Sequence, residues 1–318
     1  MTTSASRDTD AAPEKAALHE VADGVFAWVQ PPGTWWVSNA GAVTGPGGTL
    51  VVDTCATEAR TRRFLAALRE ATGDAPLRYA VSTHLHGDHT YGNSLLPDTT
   101  VLIAHEETRR GIVDDFIIDG CPPLWEPVPD WGAVTRRPPD VTMTSELAVI
   151  LGDRRVELCH PGFAAHSAGD VIAWLPEERV LFSGDLIFHG LTPMLAMGSV
   201  VGALRTLDWI SAYEPDRLVP GHGPLCAAAE LPDVLAAHER YYRFVLTTAD
   251  EGLSDGVSPL EAAQRVDLGE FAAWADAERL AFNVHRVYAD KTRRPYDLVQ
   301  AALDAVALNG GRPLPTSV

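Results

Sequence analysis

The stretch His84-Leu85-His86-Gly87-Asp88-His89 constrains this chain more than any other. Three imidazoles and a carboxylate stand in one Gly-containing loop directly after the apolar run RYAVSTH, in a sequence with only 11 histidines. Alternate residues of an extended segment share a face, so His84 and His86 point the same way, while Asp88 and His89, beyond the turn, reach a second centre. Nitrogen and oxygen donors collected at a strand end suit a transition metal better than an incidental polar surface loop. One loop cannot complete two sites. Single donors recur in Gly-rich turns after other apolar runs: His166 in HPGFAAHSAGD, Asp185 in SGD and His222 in PGHG. In α/β folds, ligands gather at such strand ends.

The rest of the sequence reads as α/β with a C-terminal helical addition. VFAWVQ, NAGAVTG and TLVVDT are strands, and ATEARTRRFLAALREATG is a helix stopped by Gly73. The Pro-rich segment 119–140 is a long loop. ELAVILGDRRVELCH and DVIAWLPEERVLFSGD form hairpins, turning at Gly152-Asp153 and at Pro176 to Glu178. SVVGALRTLDWISAY is helical, Ser258 to Glu261 has capping-box form, and Phe271, Trp274, Leu280 and Val284 keep helical spacing. The closing helix stops at Asn309-Gly310. Three segments are expected: a tail over 1–17, a metal-binding domain over 18–228, and a helical region over 229–318 packed on it.

Composition narrows the function. With 25 basic against 43 acidic residues the net charge is −18, a field that repels nucleic acid. No run of about 18 apolar residues could span a membrane, and the first twenty residues lack a secretory core, so a cytoplasmic protein without membrane partners is expected. Cys55, Cys121, Cys159 and Cys226 are scattered, as buried thiols are, with no CxxC pair. Lys15 and Lys291 are the only lysines, so anion recognition would fall to arginine.

HLHGDH, His166, SGD and PGHG follow one another as they do in the metallo-β-lactamase superfamily, which the chain resembles from about Val21 to Leu225. The resemblance implies an αβ/βα four-layer sandwich with a binuclear site in the cleft between two sheets. His84, His86 and His166 would bind one metal, Asp88, His89 and His222 the other, and Asp185 would bridge. Asp53, closing LVVDT, would orient a ligand histidine. The cofactors implied are two divalent ions, zinc first, with manganese or iron(II) as alternatives. An aspartate at 185, where some lactamase branches carry cysteine, resembles hydrolases of the glyoxalase II type and points away from penicillin cleavage. His160 is a rival to His166 but fits the family spacing less well. His105 and His189 lie near the cleft, and His19, His238 and His285 are read as solvated or internally satisfied.

Paired divalent ions lower the pKa of bound water, polarise a carbonyl and stabilise the oxyanion, which favours acyl transfer to water, with Asp88 orienting the hydroxide. No GxSxG elbow or Cys-His pair offers a rival nucleophile. Trp35 and Trp36 in one loop, with Trp125 and Trp131 in the Pro-rich loop, are expected to face a large, flat, apolar substrate. PPGTWWVSNAG, FHGLTPMLAMGSVVGALRTLDWI, VPGHGP and NGGRPLPT are similar to the second- and third-ring cyclases of aromatic type II polyketide pathways, the actinorhodin type. HPGFAAHSAGD departs from their usual GPAHT. This closer resemblance implies ring closure on a carrier-bound or free aromatic polyketide and thioester release from an acyl carrier protein. The alternative is a generic thioesterase or lactonase of the superfamily. An acidic carrier would need a basic patch, for which Arg109-Arg110 and Arg136-Arg137 stand against solvated surface charge. A homo-oligomer is left open.

Overall fold

The computed structural model describes residues 16–318. The expected tail therefore lies outside the described residues up to position 15, and its last residue, Ala17, already opens a strand. In chain order the first sheet takes β1 (Ala17–Ala22), β2 (Val25–Val29), β3 (Ala40–Gly45), β4 (Gly48–Val52), β5 (Leu77–Val81) and β6 (Val101–His105). The two-residue β7 (Trp125–Glu126) stands apart, and β8 (Val141–Met143) completes a seven-stranded order β1-β2-β3-β4-β5-β6-β8. The second sheet uses β9 (Glu146–Leu151), β10 (Arg154–Cys159), β11 (Ile172–Leu175), β12 (Val180–Phe188), β13 (Arg217–His222) and β14 (Cys226–Ala227), ordered β14-β13-β12-β11-β10-β9. The short β15 (Leu314–Pro315) pairs in parallel with β7.

Period-two alternation explains the stacking. Along β2, Val25, Ala27 and Val29 join a core with Val156, Leu158 and Phe182 of the second sheet. Phe26 and Trp28 turn the other way, onto Phe64 and Leu68 of α1 (Glu58–Thr72). On the outer face of the second sheet, Ile172, Trp174 and Leu218 meet α4 (Val200–Ser211) and α5 (Leu231–Asp255). The result is helices, sheet, sheet and helices, the four-layer αβ/βα sandwich that the resemblance implies. The chain's other helices are α2 (Gly87–Thr90), α3 (Glu106–Asp114), α6 (Pro259–Arg265), α7 (Arg279–Thr292) and α8 (Leu298–Leu308).

Local chemistry sets the boundaries. Thr57 caps α1 by accepting from the Arg60 amide, and Gly73 at φ 66° ends it. The capping box at Ser258 and Glu261 opens α6. Both hairpins turn where the sequence places them. The helical spacing read across Phe271 to Val284 is interrupted, because Phe271 lies in a 3-10 turn and Asp276, at φ 57°, breaks the chain before α7 begins. The Pro-rich segment is not wholly irregular, since β7 falls within it. No helix among the described residues is long and apolar enough to cross a membrane.

Two parallel pairs position the site. β4 runs parallel to β5, which brings the residues after their C-terminal ends, Asp53 and the segment from His84, to the same edge. β12 runs parallel to β13, which brings Asp185 and His222 together across from them.

Candidate metal centre

Seven donors converge at that edge. His84, His86, His166 and Asp185 form one group, and Asp88, His89 and His222 a second. His86 Nδ1 lies 3.1 Å from His84 Nε2 and 2.8 Å from His166 Nε2. Asp88 Oδ2 lies 3.1 Å from His222 Nε2. Asp185 stands between the groups, with Oδ1 3.1 Å from His89 Nε2 and Oδ2 3.4 Å from both His166 and His222 Nε2. Close approach is possible because Gly221 faces Asp185, where a Cβ would collide with Oδ1.

Hydrogen bonds fix which nitrogen each ring presents. Thr83 Oγ1 donates to Asp53 Oδ2 at 2.7 Å, so its lone pair is left to accept from His84 Nδ1 at 3.0 Å. Asp53 Oδ2 also accepts from His89 Nδ1 at 2.8 Å. His166 Nδ1 donates to the Met194 carbonyl at 2.7 Å, and His222 Nδ1 to that of Gly33 at 2.8 Å. In four of the five rings the proton is thus on Nδ1 and the Nε2 lone pair faces inward. His86 alone turns Nδ1 toward the centre.

These donors fit a metal pair. His84 and His166 each aim a lone pair at His86 Nδ1, which can supply at most one proton, and the buried His89 Nε2 and Asp185 Oδ1 have no hydrogen-bond partner. Burial pushes the His84 and His86 pKa down, and that of His166 to about 3. Burial also lowers His222, but Asp185 and Asp88 outweigh it and raise the ring to about 9. For Asp88, burial acts upward and loses to His89 and His222, so the carboxylate is held low. The neutral imidazoles of His84, His86 and His166 and the ionised carboxylates are the forms a divalent ion binds, whereas His89 and His222, both raised against burial by the neighbouring carboxylates, would release a proton on binding it.

The centre opens into a cavity of about 470 Å³. Trp35, Trp36 and Trp125 line it, together with Tyr91, Phe188 and Phe282. Trp35 Nε1 donates to Glu278 Oε1 at 2.6 Å. Trp131, grouped with the other three indoles in the sequence, does not line the cavity: it packs behind Trp36 with ring centroids 4.7 Å apart and donates to the Ile117 carbonyl, propping the loop. His160 is outside the cluster, stacked on His105 at 4.2 Å. His189 Nδ1 donates to the Pro224 carbonyl at 3.0 Å and belongs to neither donor group, and His238 accepts from the Phe188 amide at 3.1 Å. His285 pairs with Asp304 at 2.7 Å. All four cysteines are free, and only Cys121 is not fully buried.

Residues 33–222 match the Metallo-beta-lactamase superfamily. The chain belongs to this superfamily. Relatives include a 2,4-dinitroanisole O-demethylase subunit alpha of Nocardioides sp. (strain JS1661), 27% identical over 218 residues, covering 66% of this chain and 56% of the relative. An acyl-coenzyme A thioesterase of Homo sapiens is 30% identical over 173 residues, covering 48% of this chain and 60% of the relative. The chain thus spans little more than half the length of these curated relatives. The solved structure of a stereoselective inverting sec-alkylsulfatase of Pseudomonas sp. superposes with a TM-score of 0.65 at 16% identity, covering 93% of this chain and 55% of that one. That structure shares the fold, and this member of the superfamily carries a donor set for a binuclear divalent site.

Several supports escaped the sequence reading. The carbonyls of Gly33 and Met194 carry no residue identity. Asn39 Nδ2 donates to the carbonyls of Pro220 (2.9 Å) and Gly223 (2.8 Å), clamping the His222 turn. Asp170 accepts from the Ser167 amide and hydroxyl beside His166, and burial pushes its pKa up to about 7. The departure at HPGFAAHSAGD leaves His166 within the first donor group.

Proposed function

We propose that the chain hydrolyses thioesters of bulky, largely aromatic acyl groups. The observation that carries this reading is the junction of seven metal-type donors with a cavity walled by indole and phenyl rings. The thioesterase among the relatives supports the choice of bond.

His84, His86 and His166 would hold one ion, Asp88, His89 and His222 the other, with Asp185 shared. When bound, such a pair supplies a Lewis acid for the acyl carbonyl and a water of lowered pKa. Asp88 accepts a hydrogen bond from the attacking water and orients it. Asp53 and Thr83 keep His89 and His84 in the tautomer that presents Nε2. The aromatic walls exclude bulk water and seat the acyl group beside the centre. Ring closure on an aromatic polyketide before release is the finer reading; it rests on the sequence resemblance, and it would appear as a cyclised product at the hydrolysis step.

The test is metal analysis combined with kinetics on a 2-naphthoyl thioester. Two divalent ions per chain and turnover abolished by Asp185→Ala are expected. Full metal loading without hydrolysis of any aromatic thioester would overturn the assignment.

A further inference from the structure

Resting on that thioesterase reading, we propose that the thioester carries a small uncharged thiol as its leaving group, and that a phosphate-bearing coenzyme or an acidic carrier protein is disfavoured. The cavity mouth is a collar of Asp114, Asp115, Phe116, Met197, Val299 and Leu303. Phe116 and Val299 are 64% and 67% exposed, Leu303 51% and Met197 42%. A substrate handle leaving the cavity therefore crosses apolar side chains and two carboxylates.

No lining residue is free to meet an anion there. Arg279 is the one arginine among the residues lining the cavity, which include no lysine, and it is 2% exposed, with Nη2 2.8 Å from Asp276 Oδ2 and Nη1 donating to the Thr192 carbonyl. Each of the arginines considered for a carrier has a partner within the chain. Arg110 pairs with Glu106 and Glu107, and Arg136 with Asp119 at 2.8 Å. Arg137 donates to the carbonyls of Asn93, Leu96 and Thr100, and Arg109 to that of Pro139. Phosphates at the collar would thus face carboxylates on a chain of net charge −18, over side chains that cannot solvate them. A neutral thiol meets neither obstacle.

The experiment compares 2-naphthoyl-coenzyme A with the 2-naphthoyl thioester of N-acetylcysteamine on metal-loaded protein. The neutral thioester is expected to show the higher kcat/KM, by about tenfold or more at low salt, and the ratio to shrink severalfold as NaCl rises from about 20 to about 500 mM. Asp114→Asn should narrow the ratio in the same direction. A preference for the coenzyme A thioester, or a ratio indifferent to salt, overturns the proposal. Non-hydrolysable thioether analogues of both compounds, followed by quenching of the cavity tryptophans, report affinity without turnover. Tighter binding of the neutral analogue with no hydrolysis of either thioester would sink the thioesterase reading and leave the charge selection standing. Equal binding of the two analogues would sink the charge selection. Phe116→Ser should weaken binding of the neutral analogue with no change in molar mass by light scattering; a dimer that dissociates would mean that a second copy covers the collar, against the proposal.

Discussion

Asp53 shows how much one residue outside the donor set can carry. It accepts from the Thr83 amide, the Thr83 hydroxyl and His89 Nδ1, each within 2.8 Å, so it orders two rings through one carboxylate. Asp53→Asn keeps the shape but removes the charge and one acceptor, and metal affinity should fall about 10- to 100-fold. Competition against a chelator, with ions counted per chain, measures this; unchanged affinity would leave Asp53 no part in holding the metals. The seven donors were legible because each is a distinctive side chain at a strand end. Gly33 and Met194 were not, because they act through backbone carbonyls that every residue owns. Trp131 was read with Trp125 from their shared loop, yet sequence proximity does not tell which face of a loop a ring takes.

Among the elements, α5 is fixed to the end of β12 by His238, whose Nε2 accepts from the Phe188 amide while Nδ1 donates to the Val234 carbonyl. Phe188 in turn stacks on His222 at 5.1 Å, so this joint backs the metal centre. Burial pushes the His238 pKa down to about 4. Between that value and the unfolded value near 6.5 only the unfolded chain takes the proton, so this residue's contribution to stability falls as pH drops through the window. The loss between pH 7 and pH 5 should be about 2 kcal/mol, and His238→Gln should remove that part of the slope even if it costs stability at pH 7. Urea unfolding of both proteins at the two pH values decides it, since parallel slopes would mean that His238 titrates alike folded and unfolded. Elements with local signals, such as α1 between Thr57 and Gly73 or the capped α6, were legible. The pairing of β7 with β15 was not, because its two halves are far apart in sequence and each is too short to show a period.

At the scale of the whole molecule, the superfamily match ends at His222, but the cavity does not. Its outer wall comes from α7 and α8, through Phe282, Leu298, Val299, Ala302 and Leu303. Ala301, Ala302 and Ala305 let α8 pack closely in the cluster that holds Trp35, Trp36 and Trp125. In the sequence these alanines are simply part of the closing helix, since no local pattern tells which side of a helix will border a void. If α8 sets the size of the acyl group, a ring added at Ala302 should fill cavity space without touching the donors. Ala302→Phe is expected to lower the ratio of kcat/KM for a 2-naphthoyl over an acetyl thioester by at least about tenfold, with the metal count unchanged. Trp36→Ala, which removes a wall, should cost the naphthoyl substrate about 1 to 3 kcal/mol of transition-state binding and the acetyl substrate less. Both substrates measured on both variants separate two roles for the C-terminal helices. Equal losses on the two substrates would mean that α8 merely holds the centre together, and size selection would then have to come from the loops that carry Trp35 and Trp125.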